Sequence, residues 1–406
     1  MNKKNIMIAA VTSALLAGCG GGGGGNSISN INTGDSNTKA PKFDSKEKLG
    51  ESLFFDKNMS LNRKTSCATC HDPKKGFVDT RFSEAGRDQS VFIHGAFSVG
   101  DDDISLGGRN APTASYAQFS PTFGKENGVY KGGQFHDGRA ATLKDQAMGP
   151  PLDGAEMMMP DKGSVIDRIE ENSDYSAAFK ALYAEDIFDD IDAAYEAMGE
   201  AIAKFEKTEE FAPFDSKYDR YLKDEYTFTT EEERGYVLFF SNANTNCATC
   251  HTLNSGSEAG KDELFSNFEY ENIGTPRNKE AMDARAALGL QDANATFKGL
   301  GGTVNDPVHL GKTKVPTLRN IAVTAPYMNN GVFKDLKTVV EFYDHMAGLG
   351  HHTNPETGQP WGENDHNATI NHDVLKATKA LSDAKIEGLV AFLKTLTDKR
   401  YEHLIK

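Results

Sequence analysis

Apolar residues recur at helical spacing along several segments of this chain. Ile191, Ala194, Met198, Ile202 and Phe205 mark one segment, and Ile386, Leu389, Val390, Leu393 and Leu396 mark another, with steps of three or four that put them on one buried helix face. A third run, Leu336 to Met346, repeats Val339, Val340, Tyr343 and Met346 in the same way. The alternation that marks half-buried strands is scarce. One short pattern occurs twice, as Gly50-Glu-Ser-Leu-Phe-Phe55 and as Gly235-Tyr-Val-Leu-Phe-Phe240. Each reads as the end of an amphipathic helix, and Asp44 with Glu47, then Thr230 with Glu233, supply the polar starts of capping boxes. The pattern predicts a mainly α chain with long loops, built as two related units that divide near Tyr226, where KDEYTFTTEEE begins the second.

The five cysteines sharpen this picture. Cys67 and Cys70 with His71, and Cys247 and Cys250 with His251, form two C-x-x-C-H motifs, each preceded by one of the repeated helix ends. That spacing lets two thiols add to the two vinyl groups of one porphyrin, while the next residue's imidazole meets the iron. A single motif could equally be half of a zinc site or a redox dithiol. Two copies, each completed by a histidine and with no further pair to close a tetrahedron, point to two covalently bound haem c groups. The two units are then cytochrome-c-like haem domains, residues 41–225 and 226–406.

The start of the chain, MNKKNIMIAAVTSALLAGC, has Lys3 and Lys4 before an apolar run that ends in small residues, the layout of an export signal. Leu16-Ala17-Gly18-Cys19 resembles a bacterial lipobox, which implies cleavage before Cys19 and lipidation of its thiol. Residues 1–19 are then a signal peptide, and the Gly, Ser and Asn-rich residues 20–40 a flexible tether. All five cysteines are assigned this way and no disulfide is expected. Beyond the signal, no apolar run has the length of a membrane span, so the expected location is the periplasm, held by a lipid anchor alone, with the outer membrane preferred. About 365 residues remain after the tether, enough for two domains. Lysines and arginines number 44 against 59 acids, a net charge of −15, which disfavours nucleic acid as a partner.

Several longer stretches carry a resemblance. LFFDKNMSLNRKTSCATCHDP, GGRNAPTASYAQFSPTF, GGQFHDGRAATLKDQAMGPP, FAPFDSKYDRYL, KVPTLRNIAVTAPYMNNGVF and LVAFLKTLTDKRYEHL together resemble the bacterial di-haem cytochrome c peroxidase family, and within it the MauG-like branch. The resemblance implies a first haem that meets hydrogen peroxide and a second that stores or relays electrons. Heterolytic cleavage of an O–O bond needs a base that takes a proton from one oxygen and returns it to the other. Glu156 falls where the family carries this distal carboxylate, and Gln146 and Pro150 match other positions of the same pocket. Met157, Met158 and Met159 beside it read as core filling or as oxidation sinks. His94 is the one histidine in the loop where classical members carry a displaceable ligand, in a different context, so an open first iron is expected.

The sixth ligand of the second haem is expected on the helix Leu336 to Met346, as Tyr343 in the MauG-like manner or as Met346 one turn further. A phenolate favours oxidised iron, whereas a thioether favours reduced iron. The resemblance also implies one calcium ion, held by Asn110 and the carbonyls of Thr324 and Pro326. Two departures stand out. His136 occupies a position between the haems where the family usually has tryptophan, and Thr245 stands where MauG-like members carry a tryptophan before the second motif. The expected function is peroxide reduction with electrons from a small redox protein, a cytochrome c or a cupredoxin. Peroxide-dependent modification of a partner protein, and electron transfer without catalysis, are the alternatives.

Overall fold

The computed structural model describes residues 42–81, 95–253, 263–290 and 295–406. Cys19 and His94 lie outside them. Among the described residues helices dominate, and the strands form three two-stranded antiparallel pairs: β1 (Gly124–Glu126) with β2 (Val129–Lys131), β3 (Tyr270–Glu271) with β4 (Thr313–Lys314), and β5 (Thr353–Asn354) with β6 (Gln359–Pro360). Five helices set the frame: α1 (Lys46–Phe55), α2 (Ile191–Phe205), α3 (Thr230–Phe239), α4 (Leu336–Met346) and α5 (Asp383–Lys394). No described helix is long and apolar enough to cross a membrane.

The helix starts follow capping chemistry, one residue away from the expected positions. Ser45, not Asp44, caps α1 by accepting from the Lys48 N–H at 3.3 Å, while Asp44 pairs with the Lys48 ammonium. Thr229, not Thr230, begins α3: its hydroxyl accepts from Glu232 N–H at 3.2 Å and its own N–H donates to the Glu232 carboxylate at 2.9 Å, a reciprocal box. The run Glu231 to Glu233 offers three candidate partners, and sequence spacing alone selects the wrong one. The helices read from periodicity at residues 191–205 and 336–346 form with those bounds.

Two hydrophobic cores result. The first joins Leu49, Leu53 and Phe54 of α1 to Met198, Ile202 and Phe205 of α2, with Phe77 stacked on Phe211 at 4.2 Å. The second joins Leu238 and Phe239 of α3 to Val340 and Phe342 of α4 and to Ile386, Leu389 and Phe392 of α5. Each fully buried Leu or Phe contributes about 1.5–3 kcal/mol relative to exposure. Tyr218, eight residues ahead of the expected division, already packs in the second core.

A glycine decides the central crossing in each core. A Cβ on Gly50 would stand 1.8 Å from the carbonyl oxygen of Ala201, and a Cβ on Gly235 would stand 1.8 Å from that of Gly388. The helix ahead of each C-x-x-C-H motif therefore lies against its partner helix at backbone contact, and the motif follows after a loop, at Cys67 in the first half and at Cys247 in the second. Between the cores, Tyr116 donates to Asp398 at 2.6 Å and Tyr401 donates to the Pro73 carbonyl at 2.6 Å, which ties the end of the chain to the loop after the first motif.

Candidate functional site

Both C-x-x-C-H motifs form one helical turn, Cys67–Cys70 and Cys247–Cys250, with the histidine as the cap. The turn brings both thiols of a motif to one side with the imidazole beside them. His71 Nδ1 lies 3.2 Å from the carbonyl of Phe77, and His251 Nδ1 lies 2.9 Å from that of Phe265. A carbonyl can only accept, so Nδ1 carries the proton in each ring and Nε2 keeps its lone pair for a metal. Burial holds both imidazoles below their ordinary range, which keeps them neutral and able to ligate.

All four described cysteines have free thiols. Burial raises every one of them, with Cys70 and Cys250 pushed up to about 12. A redox-active dithiol needs a lowered thiol pKa, so this environment does not suit one. Beside the second motif lies a cavity of about 370 Å³, lined by Cys247, Cys250, His251, Val340, Tyr343 and Leu389 among others. Two thiols, an imidazole lone pair and a largely apolar chamber fit a covalently attached haem.

Tyr343 meets this cavity from α4 and is 36% exposed, the exposed part of the ring being a piece of the cavity wall. Burial, followed by the two nearby sulfurs of Cys250 and Cys247, pushes its phenol up. Met346, one turn on, does not line the cavity, and its methyl packs where a Cβ on Gly274 would lie 2.4 Å away. The Tyr343 and Met346 side chains, adjacent by helical spacing, thus have different surroundings.

Glu156 sits in an irregular loop on the first half. Met157 N–H and Asp153 N–H both donate to the Pro150 carbonyl at 3.2 Å, and Gly149 N–H donates to that of Gln146 at 3.0 Å. Gln146, in the short helix Leu143–Ala147, Pro150 and Glu156 therefore belong to one continuous hydrogen-bonded segment. Burial, then the charge of Asp153, pushes the Glu156 carboxyl up to about 7. Its charge reaches both Cys67 and Cys70, raising their thiols. No described residue donates a hydrogen bond to this carboxylate, which leaves it to accept or give up a proton. Met157 and Met159 are buried in the first core, as core filling requires.

Sequence reading passed over Asp101. It is fully buried and accepts from Ser60 Oγ at 2.7 Å, from Lys64 N–H at 3.0 Å and from Asn62 N–H, while its own N–H donates to the Glu156 carbonyl at 2.8 Å. Burial alone would raise its carboxyl; the donors from Ser60, Asn62 and Lys64 hold it below its ordinary range. It fastens the loop before the first motif to the loop that carries Glu156. Gly100 beside it permits the approach, since a Cβ there would lie 2.7 Å from the Ala155 carbonyl. A second unforeseen group is Glu206, 5% exposed at the end of α2, with Oε2 lacking a partner among the described residues and its carboxyl pushed up to about 8 by burial. In sequence, Asp101 lies in the run DDD and Glu206 in FEKTEE, both indistinguishable from a solvated surface.

His136 lines the cavity beside the second motif and its Nε2–H donates to the Asn110 carbonyl at 2.9 Å. Burial lowers it to about 4, so the ring is neutral. Asn110, Thr324 and Pro326 line the same cavity. The Asn110 amide donates to the carbonyls of Gly95 and Ala96 at 3.1 and 3.3 Å, which leaves its side-chain oxygen for another ligand. Among the described residues no cluster of three or more His, Cys, Asp or Glu could hold a metal, so a hard cation here would rest on neutral oxygens. Thr245 is buried and donates to the Leu238 carbonyl at 2.6 Å.

A family model described as di-haem cytochrome c peroxidase matches residues 44–227. The methylamine utilization protein MauG of Paracoccus denitrificans (strain Pd 1222) is 44% identical over 376 residues, 92% of this chain and 94% of that protein. The cytochrome c peroxidase Ccp of Escherichia coli (strain K12) is 32% identical over 294 residues, 72% of this chain and 51% of that protein. Among solved structures, the diheme peroxidase BthA from Burkholderia thailandensis E264 is similar with a TM-score of 0.74 at 28% identity, over 89% of this chain and 88% of that one.

Proposed function

Because the chain belongs to the di-haem cytochrome c peroxidase family, we propose that it reduces hydrogen peroxide to water with two electrons taken from a small redox protein, a cytochrome c or a cupredoxin. In this reading Cys67, Cys70 and His71 hold the first haem and Cys247, Cys250 and His251 the second, in domains 41–225 and 226–406. The bound haems supply iron that accepts and donates single electrons.

Glu156 is the residue that moves the proton. It takes one from one peroxide oxygen and delivers it to the other, which leaves as water. The observation that carries this is its half-buried carboxyl, raised to about 7 and within electrostatic reach of both first-motif sulfurs. A carboxyl balanced near working pH can both accept and return a proton. Gln146 and Pro150 shape the pocket around it. Tyr343 closes the second site, supported by its place on the cavity wall where Met346 has none. His136, between the two sites, couples them through its hydrogen bond to Asn110. Asn110 with the carbonyls of Thr324 and Pro326 would hold a calcium ion, and their shared place in the lining of one cavity supports this. Cys19 anchors the protein by lipid in the periplasm, on the outer membrane.

A second reading is favoured by the 44% identity to MauG: peroxide-dependent oxidation of a partner protein. Thr245, buried and hydrogen-bonded to backbone, offers no oxidisable ring ahead of the second motif, which weighs against the route expected for that activity. Non-catalytic electron transfer would leave Glu156 without a task. Stopped-flow mixing of the purified diferric protein with one equivalent of peroxide separates these. Rapid oxidation followed by prompt return with a reduced monohaem cytochrome c is the expected result. An oxidised state that persists for minutes in the presence of that donor would favour modification of a protein, and a spectrum unchanged by peroxide would favour the carrier.

A further inference from the structure

The chain contains one tryptophan, Trp361. The β5–β6 hairpin ends directly before it and delivers it to the flank of α4. Its Nε1–H donates to the His351 carbonyl at 2.5 Å. The indole stands edge-on to Phe333 with centroids 5.5 Å apart, packs on Phe342 at 5.4 Å and stacks on His345 at 5.6 Å and 24°. Phe342 in turn lies 6.3 Å from the ring of Tyr343, which lines the second cavity. On the outer side, His345 meets the exposed His352 at 6.0 Å. A continuous line of rings therefore runs from the surface, through a half-buried indole, to the cavity wall.

The members of this line differ in what they can do. Phenylalanine resists oxidation, so Phe342 and Phe333 act only as a dry, closely packed medium. Imidazole is a poor electron donor. Indole gives up one electron readily, and the His351 carbonyl that binds its N–H cannot accept the proton. Oxidation of Trp361 thus removes one electron and leaves every bond of the ring, including N–H, in place. Return of one electron restores it.

We propose that Trp361 is the electron relay of the second half, passing electrons singly from a docked redox protein toward the group held by His251 and Tyr343. The inference rests on the peroxidase reading: each hydrogen peroxide takes two electrons and two protons to become two waters. The partner supplies both electrons, and each crosses the indole in turn. The bland alternative is that Trp361 only fills the edge of the second core, where it also packs.

The test uses the full haem-loaded chain and Trp361→Phe, which keeps an aromatic filler but removes the oxidisable ring. One equivalent of peroxide is added, samples are frozen for electron paramagnetic resonance, and reduced monohaem cytochrome c is then mixed in by stopped flow. An indole radical is expected in the wild type and its loss in the variant. Re-reduction by the cytochrome should slow about tenfold or more, a barrier change of ~1.4 kcal/mol, with the resting spectrum and the peroxide step unchanged. Trp361→Tyr, which restores an oxidisable ring, should recover part of the rate, whereas core filling predicts that both variants behave as the wild type. Normal peroxide reaction with no indole radical and equal re-reduction would overturn the relay alone. No reaction with peroxide would overturn the peroxidase reading and the relay with it.

Discussion

The two halves of the molecule hold their C-x-x-C-H turns by the same means and face them with different groups. In each, a glycine lets the preceding helix touch the backbone of a later one, Gly50 on Ala201 and Gly235 on Gly388. In each, a phenylalanine carbonyl fixes the imidazole tautomer, Phe77 for His71 and Phe265 for His251. The difference lies in the support of the facing side chain. Glu156 stands on a turn-rich loop pinned by Asp101, whereas Tyr343 projects from the regular helix α4. A carboxyl that trades protons requires a pocket tuned by burial. A ring that closes a site requires a rigid mount, which a helix provides. On the proposed reading, one scaffold thus yields one reactive and one closed centre.

This contrast can be broken most severely at Glu156. Glu156→Gln keeps the volume and removes the proposed proton shuttle, and the rate of peroxide cleavage should fall by about a hundredfold or more, measured by stopped flow, with haem content unchanged. The wild-type rate should rise with pH through about 7, because the ionised carboxylate is the form that accepts the proton. The variant should show no such inflection. Equal rates in the two proteins would remove Glu156 from the account.

The shared part of the comparison is tested at the glycines. Gly50→Ala and Gly235→Ala each force a methyl against a backbone carbonyl, and each should destabilise by about 1–3 kcal/mol, the usual cost of overpacking, read by denaturant unfolding. Similar losses in both halves are expected, and a neutral result in one would break the equivalence. The smallest effect is expected at Met346→Leu, a volume-conserving swap of less than about 1.5 kcal/mol. The spectrum of the second haem should not change, because Met346 packs on Gly274 away from the cavity.

Helical periodicity revealed α2 and α4 in the sequence, because their buried faces repeat over eleven or more residues. The motif cysteines and histidines were equally legible, since their chemistry is local. Cap positions slipped by one residue where neighbouring side chains, Thr229 and Thr230 or Asp44 and Ser45, are chemically interchangeable. Asp101 and Glu206 were not legible at all. Asp101 is set apart by hydrogen bonds to Ser60 and the Glu156 carbonyl, and Glu206 by its burial and its charge reaching Cys67, contacts with residues far away in sequence. The reason for Gly50 and Gly235 likewise appears only with the partner helix in place. The repeat they belong to was visible, but the backbone contact that requires them was not.

The central claim is that the first site is open beneath a proton-moving carboxyl and the second is closed by Tyr343. Electron paramagnetic resonance of the resting diferric protein tests it most directly, together with Tyr343→Phe. One high-spin and one low-spin ferric signal are predicted for the wild type, and two high-spin signals for the variant. Two low-spin signals in the wild type, or a Tyr343→Phe spectrum that keeps its low-spin component, would contradict it.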